Sequence, residues 1–345
     1  MPLISRRTIL GGMSGALVLG APSFSARSQG AVKQVRFATE FAWESNHAIY
    51  TLAEDLGYFA AEKLDVNIDR GYGAANNMTK LAAGSLDIAV VDPNLLPKFN
   101  QEQPESRLIS FFIIYDAAPS AVIFLKSSGI QKPKDLEGKR VAVTAGTTPA
   151  ILFPIFAKIN AVDPTKVTIL AVNAQLRDTM VIQKSADASI GFLTTSVPNI
   201  VSTGVPISEV GYLQYNQFGL ELYSLALVCR ARYAKENPEV LRGFVKAVIK
   251  GARAMVSNPE QGITSVKKRD GLLNDNLELV RNKLMNDMSL LTPHVRREGI
   301  STVDRERFER SVGQVAQASG VSIKPKMEDI YTDEYLPPKE QRMIN

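Results

Sequence analysis

Gly84-Ser85-Leu86-Asp87-Ile88-Ala89-Val90 and, one hundred residues later, Lys184-Ser185-Ala186-Asp187-Ala188-Ser189-Ile190 follow one plan: a helix end, a serine, a small or apolar residue, an aspartate, then a strand. Each copy falls at the same point of a strand–helix–strand series, and that shared position predicts two similar α/β lobes. The aspartates read as turn formers and local hydrogen-bond acceptors rather than as catalysts.

Before the first copy, Val35, Phe37 and Ala38 form a short extended run. Asn46 is placed to cap a helix whose apolar positions are Ile49, Leu52, Ala53 and Leu56, and Gly57 is placed to end it. Leu64, Val66 and Ile68 alternate with polar residues as a half-buried strand does. A glycine-containing loop, 71–75, leads into a helix carrying Met78 and Leu81, and 88–91 is a continuous apolar strand. This order implies a parallel sheet with helices on both faces. The second copy sits in a like series: strand 141–143, loop 146–149, helix 150–159, strand 167–172, a helix through Met180 and Ile182, and strand 188–192. Two apolar extended stretches, one broken by Asp116-Ala117-Ala118-Pro119 and one at 222–229, read as crossings between the lobes. The expected division is therefore residues 31–115 plus 230–345 for lobe 1 and 116–229 for lobe 2. Asn237-Pro238-Glu239 and Asn258-Pro259-Glu260 are helix starts, and the chain finishes with helices around 277–291 and 305–318.

The chain has 345 residues, 45% apolar and 22% charged, which suits two lobes of ordinary globular composition. Its one cysteine, Cys229, excludes an intramolecular disulfide framework and a cysteine-rich zinc site, and its apolar neighbours mark it as a buried thiol. Residues 1–30 read as a leader. Arg6 and Arg7 precede an apolar stretch too short and glycine-rich to span a bilayer, and small residues follow. The arginine pair resembles a twin-arginine export signal, so a soluble, periplasmic protein handled by the twin-arginine export machinery is expected. Cleavage past Arg27 removes three arginines and no acid, taking the formal charge from +5 to +2. That balance gives no concentrated basic face for nucleic acid.

In open parallel sheets, ligands sit beyond the carboxyl ends of the strands. That rule selects loops 39–47, 70–77, 92–94, 145–149 and 173–177, and the strand end at 192–195. Trp43, the only tryptophan, shares its loop with Phe41, Asn46 and His47. Main-chain N–H groups and hydroxyls at Gly146-Thr147-Thr148-Pro149 suit an anionic group, or else form a plain threonine-capped helix start. Glu40, Glu44, Asp92 and Asp116 favour a ligand with amine or N–H donors.

Three stretches carry a resemblance: Trp43-Glu44-Ser45-Asn46-His47; Leu56-Gly57-Tyr58-Phe59-Ala60-Ala61-Glu62; and Leu81-Ala82-Ala83-Gly84-Ser85-Leu86-Asp87-Ile88-Ala89. With Asp135-Leu136-Glu137-Gly138-Lys139-Arg140-Val141-Ala142-Val143 and Gly146-Thr147, the chain resembles the periplasmic binding proteins for nitrate, alkanesulfonates, taurine and thiamine pyrimidine precursors, the NMT1-like group. The resemblance implies a type II periplasmic binding protein fold, two Rossmann-like lobes joined by two crossing strands. It implies a small-molecule ligand and the permease subunits of an ABC importer as partners, for a monomer that needs no cofactor. By loop, it points to Trp43, Asn46, His47, Gly73, Ala74, Asp92, Asn94, Thr147, Thr148, Asn173 and Phe192, with Glu221 and Tyr223 reaching in from the second crossing. The family also includes a pyrimidine-synthesising enzyme with a cysteine-rich motif, which a chain with one cysteine lacks. No Gly-x-Ser-x-Gly or His-Glu-x-x-His occurs, and the histidines are only His47 and His294. A binding protein is expected, with an exported enzyme of small-molecule metabolism on the same fold as the alternative.

Overall fold

A computed structural model describes residues 31–344, apart from residue 323. The expected leader and export signal lie outside the described residues. The first sheet contains β1 (Lys33–Ala38), β2 (Leu64–Asp69), β3 (Ile88–Val91), β4 (Leu108–Tyr115) and β10 (Ser224–Arg230), in the order β2-β1-β3-β10-β4. The second contains β5 (Ser120–Leu125), β6 (Arg140–Val143), β7 (Thr168–Ala171), β8 (Ala188–Phe192) and β9 (Val210–Gln214), in the order β7-β6-β8-β5-β9. In each sheet the first three strands pair in parallel, and one strand from elsewhere in the chain is inserted antiparallel beside the third. The two sheets have the same plan.

Burial follows from the sequence pattern. β2 alternates strictly between buried and exposed, as an edge strand clothed on one face should, whereas β3 is buried at all four positions in the middle of its sheet. The outer edge of β4 is covered by the carboxyl-terminal segment: Ser110 N–H donates to Ile330 O and Thr332 N–H to Ser110 O. Helix Pro238–Ser257 buries the apolar face read from its sequence, including Val240, Leu241, Phe244, Val248 and Ile249. Phe244 meets Phe37 and Phe59 edge-on or tilted, so Phe244→Ala would cost about 3–5 kcal/mol. The same helix packs so tightly on Ala48–Asp55 that a methyl group on Gly251 would lie 2.0 Å from Ile49 O.

The chain passes between the sheets at residues 116–119 and 215–223, and Ala118 N–H donates to Leu222 O at 3.0 Å, tying the two passages side by side. The expectation that 222–229 is itself a crossing is corrected. Residues Ser224–Arg230 are an inner strand of the first sheet, paired with β3 and β4, because a continuous apolar run is satisfied on both faces only inside a sheet.

Candidate ligand-binding site

The carboxyl ends of the strands of the two sheets meet across a cleft. The space enclosed there is small, about 40 Å³, below the range of occupied small-molecule sites, so a guest needs the walls to part. Glu40, Phe41, Glu44, Gly73, Ala74 and Leu225 line one wall; Thr147, Thr148, Pro149, Arg177, Gly191, Phe192 and Thr195 line the other.

The two glycine loops touch. Ala75 N–H donates to Gly146 O at 3.3 Å, and a methyl group on Gly73, whose φ is +99°, would lie 2.8 Å from that same oxygen. Thr147 is the residue before helix Thr148–Ile159, but its hydroxyl donates to Thr144 O at 2.8 Å instead of capping the helix. That hydroxyl therefore leaves the N–H groups of Thr148 and Ala150 uncapped, Pro149 between them having none.

The first wall is rich in buried carboxylates. Glu40 Oε1 accepts from Asn46 Nδ2 at 3.0 Å and stands 3.1 Å from His47 Nε2. Among the described residues its Oε2 has no side-chain partner. Burial pushes both groups toward their neutral forms, yet their mutual attraction wins: Glu40 is held below the usual carboxylate range and His47 above the usual imidazole range. Glu44 is fully engaged: Thr195 Oγ1 donates to its Oε2 at 2.9 Å from the opposite lobe, and Arg281 Nη1 lies 3.1 Å from its Oε1. Burial raises the Glu44 pKa in spite of the arginine.

On the second wall, Arg177 is buried and bonds Asp178 through Nε and Nη2, both at 3.0 Å, and Ser196 Oγ at 2.8 Å. Its Nη1 has no hydrogen-bond partner among the described residues. Gly191 makes room for it, since a methyl group there would sit 2.9 Å from the guanidinium carbon.

Of the residues expected from sequence, Gly73, Ala74, Thr147, Thr148 and Phe192 line the cavity. The others stand elsewhere. Residues Ser45–His47 form a 3-10 turn ahead of helix Ala48–Asp55, so Asn46 does not cap the helix; it and His47 support Glu40 from behind. Trp43 turns onto the first-lobe core, edge-on to His47. Asp92 and Asn94 are buried in bonds to each other, to Ser224 and to Tyr223 O, closing the end of β3 onto the second passage. Asn173 is exposed and caps helix Ala174–Ile182 by accepting from Leu176 N–H. Glu221 is exposed, and Tyr223 faces the passages, its hydroxyl accepting from Asp304 N–H. Glu40 and Glu44, read from sequence as acids near the cleft, line the cavity, whereas Arg177 and Thr195 line it without having been singled out, although each lies in a stretch the strand-end rule named.

A family model described as NMT1/THI5 like matches residues 44–262. The chain belongs to this family. It is 24% identical to the formylaminopyrimidine-binding protein of Halalkalibacterium halodurans over 64% of this chain and 66% of that protein, just under two thirds of the relative's length. It is 22% identical to the 4-amino-5-hydroxymethyl-2-methylpyrimidine phosphate synthase of Legionella pneumophila, over 64% of this chain and 69% of the other. The alkanesulfonate-binding protein SsuA of Xanthomonas axonopodis pv. citri, solved with MOPS bound, superposes with a TM-score of 0.66 at 10% identity, covering 88% of this chain and 99% of that one. That likeness fixes the fold: this NMT1/THI5-like chain has the architecture of periplasmic binding proteins. Among the described residues no helix is long and apolar enough to cross a membrane.

Proposed function

We propose that the protein is the substrate-binding component of an ABC-type importer, an exported periplasmic receptor for a small organic solute. It would close about the passages at 116–119 and 215–223 and present the loaded form to permease subunits. The observation that carries this reading is the cavity between the lobes, walled by both. Its chemistry favours a planar, heterocyclic solute of the pyrimidine-precursor kind over a sulfonate or nitrate. Glu40 supplies an ionised acceptor for an N–H or cationic group. Arg177 and Thr148, through its hydroxyl and N–H, supply donors for a ring nitrogen or carbonyl, and Phe41 and Phe192 flank the space. An anion would have to approach two buried carboxylates.

The second reading is an enzyme on the same fold. Glu40 supports it, as a base lining the cavity and backed by the buried His47. A thermal-shift screen of aminopyrimidines, aromatic amines, sulfonates and nitrate against the purified protein separates these readings. Stabilisation by the aminopyrimidines without turnover is the expected result. Stabilisation by sulfonates alone would overturn the solute class. Turnover of a bound solute, lost in His47→Ala, would establish the enzyme, and no stabilisation at millimolar concentrations would count against any receptor role.

A further inference from the structure

We infer that Arg281 is the residue that couples lobe closure to the arrangement of charge in the cavity, acting as a buried latch between the two walls. It rests on the binding reading only in taking the cavity as the functional site. Arg281 lies on helix Asp275–Met285, far in sequence from either wall, and is 3% exposed. Its guanidinium makes a complete set of contacts in two directions.

Toward the first lobe, Nε donates to Glu278 at 3.0 Å and Nη1 pairs with Glu44 at 3.1 Å. Glu278 is itself fixed to the 3-10 turn by accepting from Ser45 N–H at 2.7 Å. Toward the second lobe, Nη1 donates to Thr194 O at 3.1 Å and Nη2 to Asn199 Oδ1 at 3.2 Å, both on helix Leu193–Val201. Asn199 passes the connection on, since its Nδ2 donates to Asp178 Oδ2, and Asp178 holds Arg177. One guanidinium therefore orients Glu44 on the first wall directly and Arg177 on the second through two intermediates. The direct Thr195–Glu44 hydrogen bond closes the circuit beside it.

The chain of partners has a physical consequence. When the lobes part, Arg281 loses Thr194 O and Asn199, and Glu44 loses Thr195, while the Arg281–Glu278 pair stays with the first lobe. In the closed form this set of charge-assisted hydrogen bonds offsets the desolvation of Arg281, Glu44 and Glu278, so the closed form is populated without a guest. Arg281 touches no solute in this scheme; it is a positioning residue.

The test needs no ligand. Cysteines placed at the exposed positions Tyr72 and Leu176, one on each lobe, take spin labels while the native Cys229 stays buried. Pulsed dipolar spectroscopy then reads the lobe separation in the free, full-length protein. The parent should show a dominant short distance. In Arg281→Gln the ratio of short- to long-distance populations should fall about tenfold, and Arg281→Lys, which keeps the charge but not the fork, should recover part of it. An unchanged distribution in Arg281→Gln would overturn the proposal, as would equal loss in Lys and Gln. Should Arg281→Gln fail to fold, Asn199→Leu and Thr195→Val each remove one second-lobe partner and must shift the distribution in the same direction; no shift in either overturns it. Because no solute is present, a failed latch leaves the receptor reading standing, and a failed solute screen leaves the latch standing.

Discussion

In each lobe the middle strand of the parallel trio, β1 or β6, is pinned to its neighbour β3 or β8 by the same four contacts. In lobe 1, Asp87 accepts from Arg36 N–H at 2.9 Å, from Nε at 3.0 Å and from Nη2 at 2.6 Å, and returns its own N–H to Arg36 O at 2.9 Å. In lobe 2, Asp187 accepts from Arg140 N–H at 2.8 Å, from Nε at 3.2 Å and from Nη2 at 3.1 Å, and returns its N–H to Arg140 O at 2.8 Å. The walls these frames carry are not alike. Lobe 1 lines the cleft with buried carboxylates backed by a histidine; lobe 2 lines it with hydroxyls, a helix start and an arginine already paired. A repeated frame sets the geometry of the cleft, and unequal loops set its chemistry, so fold and selectivity can be perturbed separately.

The largest effect is expected where the walls differ most. Glu40→Gln keeps the shape and removes the charge; the affinity for an aminopyrimidine should fall about a hundredfold by calorimetry, against roughly tenfold for Thr148→Val on the opposite wall. Equal losses would erase the asymmetry. Next are the glycine loops. Gly73→Ala places a methyl group against Gly146 O at φ +99°, whereas Gly146→Ala, at φ +77°, meets only Ala75 Cβ at 3.7 Å. Gly73→Ala should cost about 2–3 kcal/mol in denaturant unfolding and Gly146→Ala about 1 kcal/mol.

The pH response should belong to lobe 1. Glu40 lies below its ordinary 4.5 and His47 above its ordinary 6.5, so their pairing stabilises the fold most between about pH 4.5 and 6.5. It declines at higher pH as His47 loses its proton and at lower pH as Glu40 gains one. The stability gap between the parent and His47→Gln should peak in that window, and a pH-independent gap would refute the pairing. The smallest effect is at the frame. Asp87 is more buried than Asp187. Asp87→Asn should cost about 1–2 kcal/mol and Asp187→Asn measurably less, read as the order of thermal midpoints.

The frame was legible in the sequence because strands and helices announce themselves within ten residues and because the Asp-containing turn occurs twice. Loop positions followed from the strand-end rule, which led to Gly73, Thr147, Thr148 and Phe192, all of them lining the cavity. The side chains that decide the chemistry were less legible. The 3-10 turn at Ser45–His47 sends Asn46 and His47 behind Glu40 and turns Trp43 onto the core, and a single residue of helical rotation is enough to do this. Arg281 and Glu278 look like ordinary helix-surface charges, since their partners at Ser45 and Glu44 are more than 230 residues away and leave no local pattern. Asp92, Asn94 and Tyr223 looked like cleft residues by position, but their bonds are spent on joining β3 to the second passage.

The most direct measurement is a crystal structure of the protein grown with an aminopyrimidine. The solute should lie between the lobes with an amino group on Glu40 and a ring acceptor facing Arg177 or Thr148. A solute bound to one lobe only, or outside the cleft, would contradict the idea that the two walls hold one guest.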